Sequence, residues 1–183
     1  MNVKSLIEDW ESRREEDQKR FETHFPETDD LLAVVLRGHL LLEEFLDWLN
    51  RHCFHFPEYY DEARLPFSKK LLIVRAQVLV PNPSPDVFFD CIKKLNEIRN
   101  DLAHNLESPK LENKVDGFLK AVESGYNKEL LSCHPPESKS REKRTGMAIA
   151  YLLGQMQILD NIVEFMEKSR YYGEAQNEPR SAK

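Results

Sequence analysis

Apolar residues recur at helical spacing over most of the chain, and three long segments show this most clearly. Leu31 to Phe54 carries a broad apolar face, with charged residues such as Arg37 and Glu43 opposite to it. Asp86 to Asn105 and Thr145 to Tyr171 repeat the pattern. No segment shows the strict alternation that is typical of a strand. We therefore expect an all-α chain, a single-domain helical bundle of about five to six helices.

Helix-stopping residues divide the rest of the chain. Pro26 ends a charged segment, and Thr28-Asp29-Asp30 supplies an N-cap for the helix that begins at Leu31. The prolines at positions 81, 83 and 85 separate two further helices. The remaining predicted elements are a short helical turn within 55–65, helices over Ser68–Val80 and Leu111–Glu123, and a long loop over Asn127–Arg144.

One domain is expected to span residues 1–172, because a chain of 183 residues suits one domain rather than two. Within it, residues 1–28 are predicted to form an N-terminal charged helix and residues 29–172 the bundle core. The polar residues 173–183 are predicted to form a disordered tail.

Composition and charge narrow the function. Hydrophobic residues make up 40% of the chain and charged residues 32%, with a net charge of -6. A protein that binds nucleic acid over much of its surface needs that surface to be basic, so this class is excluded by the negative charge. Binding of nucleic acid by a local basic patch is still compatible with the composition. Three widely spaced cysteines, no apolar leader and no apolar stretch long enough to span a membrane favour a cytoplasmic protein.

The run RNDLAH at residues 99–104 is the most distinctive chemical feature. On an ideal helix Arg99 lies at the edge of the apolar stripe, with Asn96, Asn100 and Ala103 on the adjoining flank. His104 lies about 140° round the helix from Arg99. A polar strip that contains a small residue suits a closely approaching second helix, from this chain or from a second copy of it.

These residue types together fit cleavage of RNA without a metal. Arginine is a permanent cation whose planar fork matches phosphate, and histidine can accept and donate protons near neutral pH. We expect Arg99 to hold the charge that develops on the phosphate, His104 to act on the ribose hydroxyl or the leaving oxygen, and Asn100 to orient them. Lys93 and Asn96 are the candidate substrate-binding residues. Two copies facing each other across a homodimer would supply a more complete site than one.

The stretch KKLNEIRNDLAH, residues 93–104, resembles the signature helix of the HEPN superfamily, whose pattern is an arginine, a polar residue and then a histidine after a short gap. Arg99, Asn100 and His104 match it. The resemblance implies a HEPN-like helical bundle that acts as a homodimeric, metal-independent endoribonuclease in a toxin–antitoxin or defence setting. Arg37 and Glu43 lie in a helix of the type that packs beside the signature helix, and would support the site.

Two points separate the sequence from the best-known members of that superfamily. Toxins controlled by a nucleotidyltransferase antitoxin carry a tyrosine two residues after the histidine, and here that position is Leu106. The chain also resembles, more weakly, the mannitol-operon repressor family in length and helical content. The second functional hypothesis is therefore a non-catalytic HEPN-like or repressor-like interaction module that binds an operon-encoded protein. A third is a small-ligand or nucleotide binder that uses the same site.

A structural role for the same residues is the competing interpretation. Arg99 would then pair with Glu43 or Asp47, and His104 would interact with the C-terminal end of its helix, where a positive charge is favoured. The basic run within residues 139–144 is similarly interpreted as a solvated surface segment rather than an RNA contact.

No metal or cofactor is expected from the sequence. The cysteines and nearby histidines (His52, Cys53, His55, Cys91, Cys133 and His134) match no familiar ligand spacing and fall on different predicted elements. The chain also lacks a glycine-rich phosphate loop and a Gly-x-Ser-x-Gly elbow. A metal-free site is consistent with the chemistry proposed for residues 99–104.

Overall fold

The computed structural model describes residues 30–77, 85–104, 109–125 and 140–176, together with positions 15, 19 and 23. Within these residues the chain forms six helices and no strand, which confirms the predicted all-α class. The helices are α1 (Leu31–Cys53), α2 (Pro57–Glu62), α3 (Phe67–Gln77), α4 (Pro85–His104), α5 (Leu111–Gly125) and α6 (Arg141–Gln176).

The long helix α1 is the centre of the bundle and begins where its sequence predicts. The side chain of Asp30 accepts a hydrogen bond from the amide of Leu32 at 2.9 Å, so Asp30 is the N-cap. Helix α1 packs against α2, α3, α4 and α6, while α5 packs against both α4 and α6. The short helix α2 is tied to α1 by an ion pair between Arg51 and Asp61, with 2.8 Å between Nε and Oδ1.

Apolar residues of the described helices form one continuous core, although Leu40, predicted on the apolar face of α1, is 57% exposed. Five helices, α1, α3, α4, α5 and α6, contribute buried side chains to it. Its largest fully buried members are Phe88, Phe118, Leu42, Leu46, Leu49, Ile92, Leu95, Ile98, Ile149, Leu152, Met156 and Leu159. Burial of these surfaces supplies the main driving force for folding and fixes which face of α4 remains polar.

Helix α6 begins at Arg141, four residues before its predicted start, so the predicted loop is wrong over Arg141–Arg144. The reason is tertiary. Arg141 forms ion pairs across to α5, with Asp116 at 3.2 Å and Glu112 at 3.4 Å. The Thr145 hydroxyl donates to the Arg141 carbonyl at 2.8 Å, which adds a bond to this first turn. The helix continues to Gln176, beyond its predicted end at Tyr171.

Several sequence predictions fall outside the described residues. Apart from three isolated positions, the charged helix predicted within 1–28 lies there, as do the loop over 127–139 and the tail over 177–183. The division of the chain into 1–28, 29–172 and 173–183 stays a prediction. None of the helices in the described ranges combines the length and the apolar character that crossing a membrane requires.

Candidate functional site

Helix α4 carries the candidate site on its polar side because its opposite side is buried without interruption. Its predicted core stripe is buried in full, and consists of Phe88, Cys91, Ile92, Leu95, Ile98 and Leu102. Burial raises the pKa of the Cys91 thiol to about 12, so this cysteine is an inert core residue. The stripe fixes the rotation of α4 about its axis, and with it the directions in which residues 96, 99, 100 and 104 extend.

Arg99 is half-buried and lies against an amide rather than a carboxylate. Its Nη1 donates a hydrogen bond to Oδ1 of Asn100 at 3.1 Å. Within the described ranges no carboxylate forms an ion pair with it. The other half-buried lysines and arginines of those ranges each form one, namely Lys70, Lys94, Lys114, Arg141 and Arg144. Arg99 therefore holds a partly desolvated positive charge that these residues leave open to an anion.

The two carboxylates considered as structural partners of Arg99 are bound elsewhere. Lys70 of α3 reaches across to α1, where its Nζ donates to Oε1 of Glu43 at 2.9 Å and to Oδ2 of Asp47 at 2.8 Å. The expected pairing of Arg99 with Glu43 or Asp47 is therefore not formed among the described residues. Glu43, predicted as a support residue, joins α1 to α3.

His104 is the last residue of α4 and is exposed. The helix is regular up to this residue, so Arg99 and His104 of one chain diverge by about 140°. The two residues of one chain therefore leave α4 in different directions. Asn96, Asn100 and His104 instead succeed one another at intervals of four, which places them in one row along the helix surface.

The remaining predicted site residues lie at different depths. Arg37 on α1 and Lys93 on α4 are both exposed. Asn96 is half-buried, and its Oδ1 lies 2.9 Å from Nε2 of a residue that the sequence interpretation missed, His39. Asn96 is thus engaged within the fold, whereas Lys93 is accessible to a ligand.

His39 lies in α1 and is 2% exposed. Its ring centroid is 4.3 Å from that of Phe67, and its Nδ1 is 3.9 Å from Oε2 of Glu43. Burial lowers the pKa of His39, against the opposing effects of the Asn96 hydrogen bond and the Glu43 charge. The sequence contained a signal for this residue, because position 39 falls four residues after Val35, on the apolar face of α1.

Of the histidines and cysteines that could suggest a metal, the structure describes His52, Cys53, His55 and Cys91. Among the residues that the structure describes, no group of three or more His, Cys, Asp or Glu side chains comes together as a ligand set. His52 instead stacks on Trp48, with ring centroids 3.7 Å apart, and its Nδ1 lies 2.9 Å from the Trp48 carbonyl. Cys133 and His134 lie outside the described residues.

Comparison with known proteins identifies no relative. No family model matches the chain, and no curated protein or solved structure shows significant similarity to it. The structure thus shows an all-helical protein, and the comparisons identify no family for it. The likeness of residues 93–104 to the HEPN signature helix therefore serves only as support for the proposal that follows.

Proposed function

We propose that the protein is a metal-independent endoribonuclease of HEPN type, acting as a homodimer with a composite site made of Arg99, Asn100 and His104. The observation that carries the proposal is the half-buried guanidinium of Arg99, which hydrogen-bonds to Asn100 and has no carboxylate partner among the described residues. A permanent cation left open in this way fits a phosphate, whose oxygens match the guanidinium fork.

Each residue has a defined role in the proposed reaction. Arg99 binds the scissile phosphate and stabilises the charge that builds on it, while Asn100 keeps the guanidinium in place. His104 takes the proton from the ribose 2′-hydroxyl or returns one to the leaving 5′-oxygen. Lys93, exposed on the same helix, attracts the RNA backbone. The products expected of this reaction are a 2′,3′-cyclic phosphate and a free 5′-hydroxyl.

The site is proposed to draw on two chains because of the geometry of α4. Arg99 and His104 diverge on a helix that is regular to its end, so a phosphate held by one arginine lies away from the histidine of the same chain. In a two-fold dimer the histidine of the partner can approach from the other side. Both chains then contribute a group to the reaction.

The direct test is RNA cleavage by pure protein in the presence of a chelator. We expect Arg99→Ala and His104→Ala each to lower the cleavage rate by about 10²–10⁴-fold, as removal of a general acid–base or charge-stabilising group does. The control is His52→Ala, which removes another exposed histidine and should leave cleavage unchanged. Activity that survives both site substitutions would refute the proposal.

Mixing the two inactive variants tests the composite site. A heterodimer of the Arg99→Ala and His104→Ala chains still has one intact arginine facing one intact histidine. If exchange is complete, the mixture should regain about a quarter of the wild-type activity, since half of the dimers are mixed and each has one good site. Failure to regain activity in a mixture shown to exchange subunits would place the site within one chain.

A second candidate function, a non-catalytic interaction module, is favoured by exposed aromatic side chains around α2. Phe56 and Tyr59 are 65% and 66% exposed, and their ring centroids lie 6.3 Å apart in an edge-to-face arrangement. Such a pair fits a partner surface. This function predicts no cleavage, and a stable complex with an operon-encoded protein that is lost in Phe56→Ala.

A further inference from the structure

The side chains of α1 and α4 meet in a polar contact that the proposed reaction does not use. His39 of α1 is 2% exposed, and its Nε2 lies 2.9 Å from Oδ1 of Asn96 on α4. Because an amide oxygen accepts, Nε2 carries the ring proton and donates it to Asn96. A partly buried hydrogen bond of this kind is directional, whereas the apolar contacts around it tolerate small rotations of one helix against the other.

The position of Asn96 on α4 links this contact to Arg99 and Asn100. Arg99 and Asn100 follow it by three and four residues, so all three lie on adjacent turns of one side of α4. Arg99 is also close enough to His39 for its charge to act on the imidazole. A bond that fixes Asn96 therefore fixes the turn from which the Arg99 guanidinium extends.

We propose that His39 is a positioning residue, a buried neutral imidazole that holds Asn96 and thereby sets the placement of the Arg99–Asn100 turn against α1. Burial is the main reason that the ring stays neutral, and the charges of Arg99 on α4 and Lys70 on α3 act in the same direction. The Asn96 hydrogen bond and the Glu43 carboxylate, 3.9 Å from Nδ1, act against them, but Glu43 is also bound by Lys70. The effect on cleavage rests on the proposed function, whereas the effect on side-chain placement does not.

Three variants separate positioning from simple loss of stability. His39→Leu removes the donor and puts an apolar side chain in its place. His39→Gln keeps an N–H donor near the position of Nε2 and stays neutral. Asn96→Ala removes the acceptor of the same hydrogen bond at a half-buried position. This variant tests the positioning role if His39→Leu does not fold.

The matched control is Asn50→Leu. Asn50 is another buried polar residue of α1, eleven positions further along, and its Nδ2 donates to the Tyr60 hydroxyl at 3.2 Å. Its loss weakens the fold near the C-terminal end of α1, about 16 Å along the helix from His39. Any change that it shares with His39→Leu reflects stability alone.

The first measurement is the NMR signals of the Arg99 side-chain N–H and the Asn100 side-chain amide in each folded variant. We expect both to move in His39→Leu and Asn96→Ala, and to stay close to their wild-type positions in His39→Gln and Asn50→Leu. Unmoved signals in folded His39→Leu or Asn96→Ala would overturn the proposal, as would a His39→Gln spectrum identical to that of His39→Leu.

The second measurement is the rate of RNA cleavage at saturating substrate. For His39→Leu and Asn96→Ala we expect kcat to fall on the order of tenfold to a hundredfold, since a misplaced group costs rate in that range, with little change in KM. His39→Gln should restore most of kcat. A wild-type protein that cleaves no RNA refutes the proposed function, and the NMR comparison then tests the positioning role without it.

Discussion

Lys70 and Arg99 are half-buried cations on two helices that flank α1, and their surroundings differ. Lys70 binds two carboxylates of α1, Glu43 at 2.9 Å and Asp47 at 2.8 Å. Arg99 hydrogen-bonds to the neutral amide of Asn100, and no described carboxylate forms an ion pair with it. The first charge is neutralised within the fold, and the second is not.

The difference distinguishes a structural charge from one that is available to a ligand. Burial alone would lower the pKa of Lys70, but its hydrogen bonds to Asp47 and Glu43 outweigh that effect and raise the pKa. The lysine is therefore a fixed counterion that joins α3 to α1. Around Arg99 the fold supplies a neutral hydrogen-bond acceptor only, which holds the guanidinium in place without cancelling its charge.

Replacing Lys70 should produce the largest loss of stability. Lys70→Met leaves the carboxylates of Glu43 and Asp47, each 29% exposed, close together without a counterion. We expect the free energy of unfolding to fall by about 2–3 kcal/mol, less than the roughly 3–5 kcal/mol of a fully buried pair, because the carboxylates keep some solvent. Urea unfolding at neutral pH measures it.

Lys69→Met is the matched control, since Lys69 is the exposed neighbour of Lys70 in the same helix. Its free energy of unfolding should stay within about 0.5 kcal/mol of wild type. Equal losses in the two variants would mean that Lys70 stabilises the protein only through its helix, and the contrast with Arg99 would lose its basis.

The buried His39, which lies near both cations, makes stability depend on pH. Its ordinary pKa of 6.5 is lowered in the folded protein, chiefly by burial, with Lys70 and Arg99 adding to the effect and Asn96 and Glu43 opposing it. Below pH 6.5 the unfolded chain therefore takes up the proton first. The resulting stability is complete above pH 6.5 and is lost as the pH falls, by at most about 1.4 kcal/mol per pH unit.

His39→Gln isolates this contribution because every other titrating group is shared. The free energy of unfolding of wild type minus that of the variant should be constant above pH 7 and should shrink as the pH is lowered towards 5. A difference that stays flat over this range, or that grows on acidification, would mean that His39 is not a desolvated neutral group in the folded protein.

Hydrophobic periodicity predicted most of the fold. The apolar stripe of α4 is buried at every predicted position, and α1 begins at the predicted cap, because burial and capping are properties of nearby residues. The start of α6 was predicted wrongly because Arg141 and Arg144 show no apolar period. Their ion pairs with α5 depend on where another helix lies.

The candidate site could be predicted only in part, for the same reason. Residue type and spacing single out Arg99 and Asn100, which are neighbours in the sequence and bond to each other in the fold. Neither spacing nor residue type reveals that Lys70 pairs with Glu43, or that His39 hydrogen-bonds to Asn96, since each contact joins two helices. A polar residue within an apolar stripe, such as position 39, is the sequence signal that merits a search for a buried partner.

Replacing Tyr60 tests the cluster around Lys70 with a smaller expected loss of stability. Its hydroxyl donates to Oδ1 of Asp47 at 2.6 Å and accepts from Asn50 at 3.2 Å. Tyr60→Phe removes both bonds but leaves Lys70 with its two carboxylates, so we expect a loss of about 1 kcal/mol in the free energy of unfolding. A loss as large as that of Lys70→Met would show that Tyr60 stabilises this cluster as much as Lys70 does.

Apart from the Lys69→Met control, Arg99→Gln should have the smallest effect on stability of the changes considered, and it tests the comparison most directly. A charge without a carboxylate partner contributes little to folding, so the free energy of unfolding should change by less than about 1 kcal/mol. Anion binding should change far more. Short RNA or nucleotides should raise the Tm of wild type but not of Arg99→Gln, because only a ligand that prefers the folded state stabilises it. A variant as unstable as Lys70→Met would make Arg99 a structural cation like Lys70, and a preserved Tm rise would place the anion elsewhere.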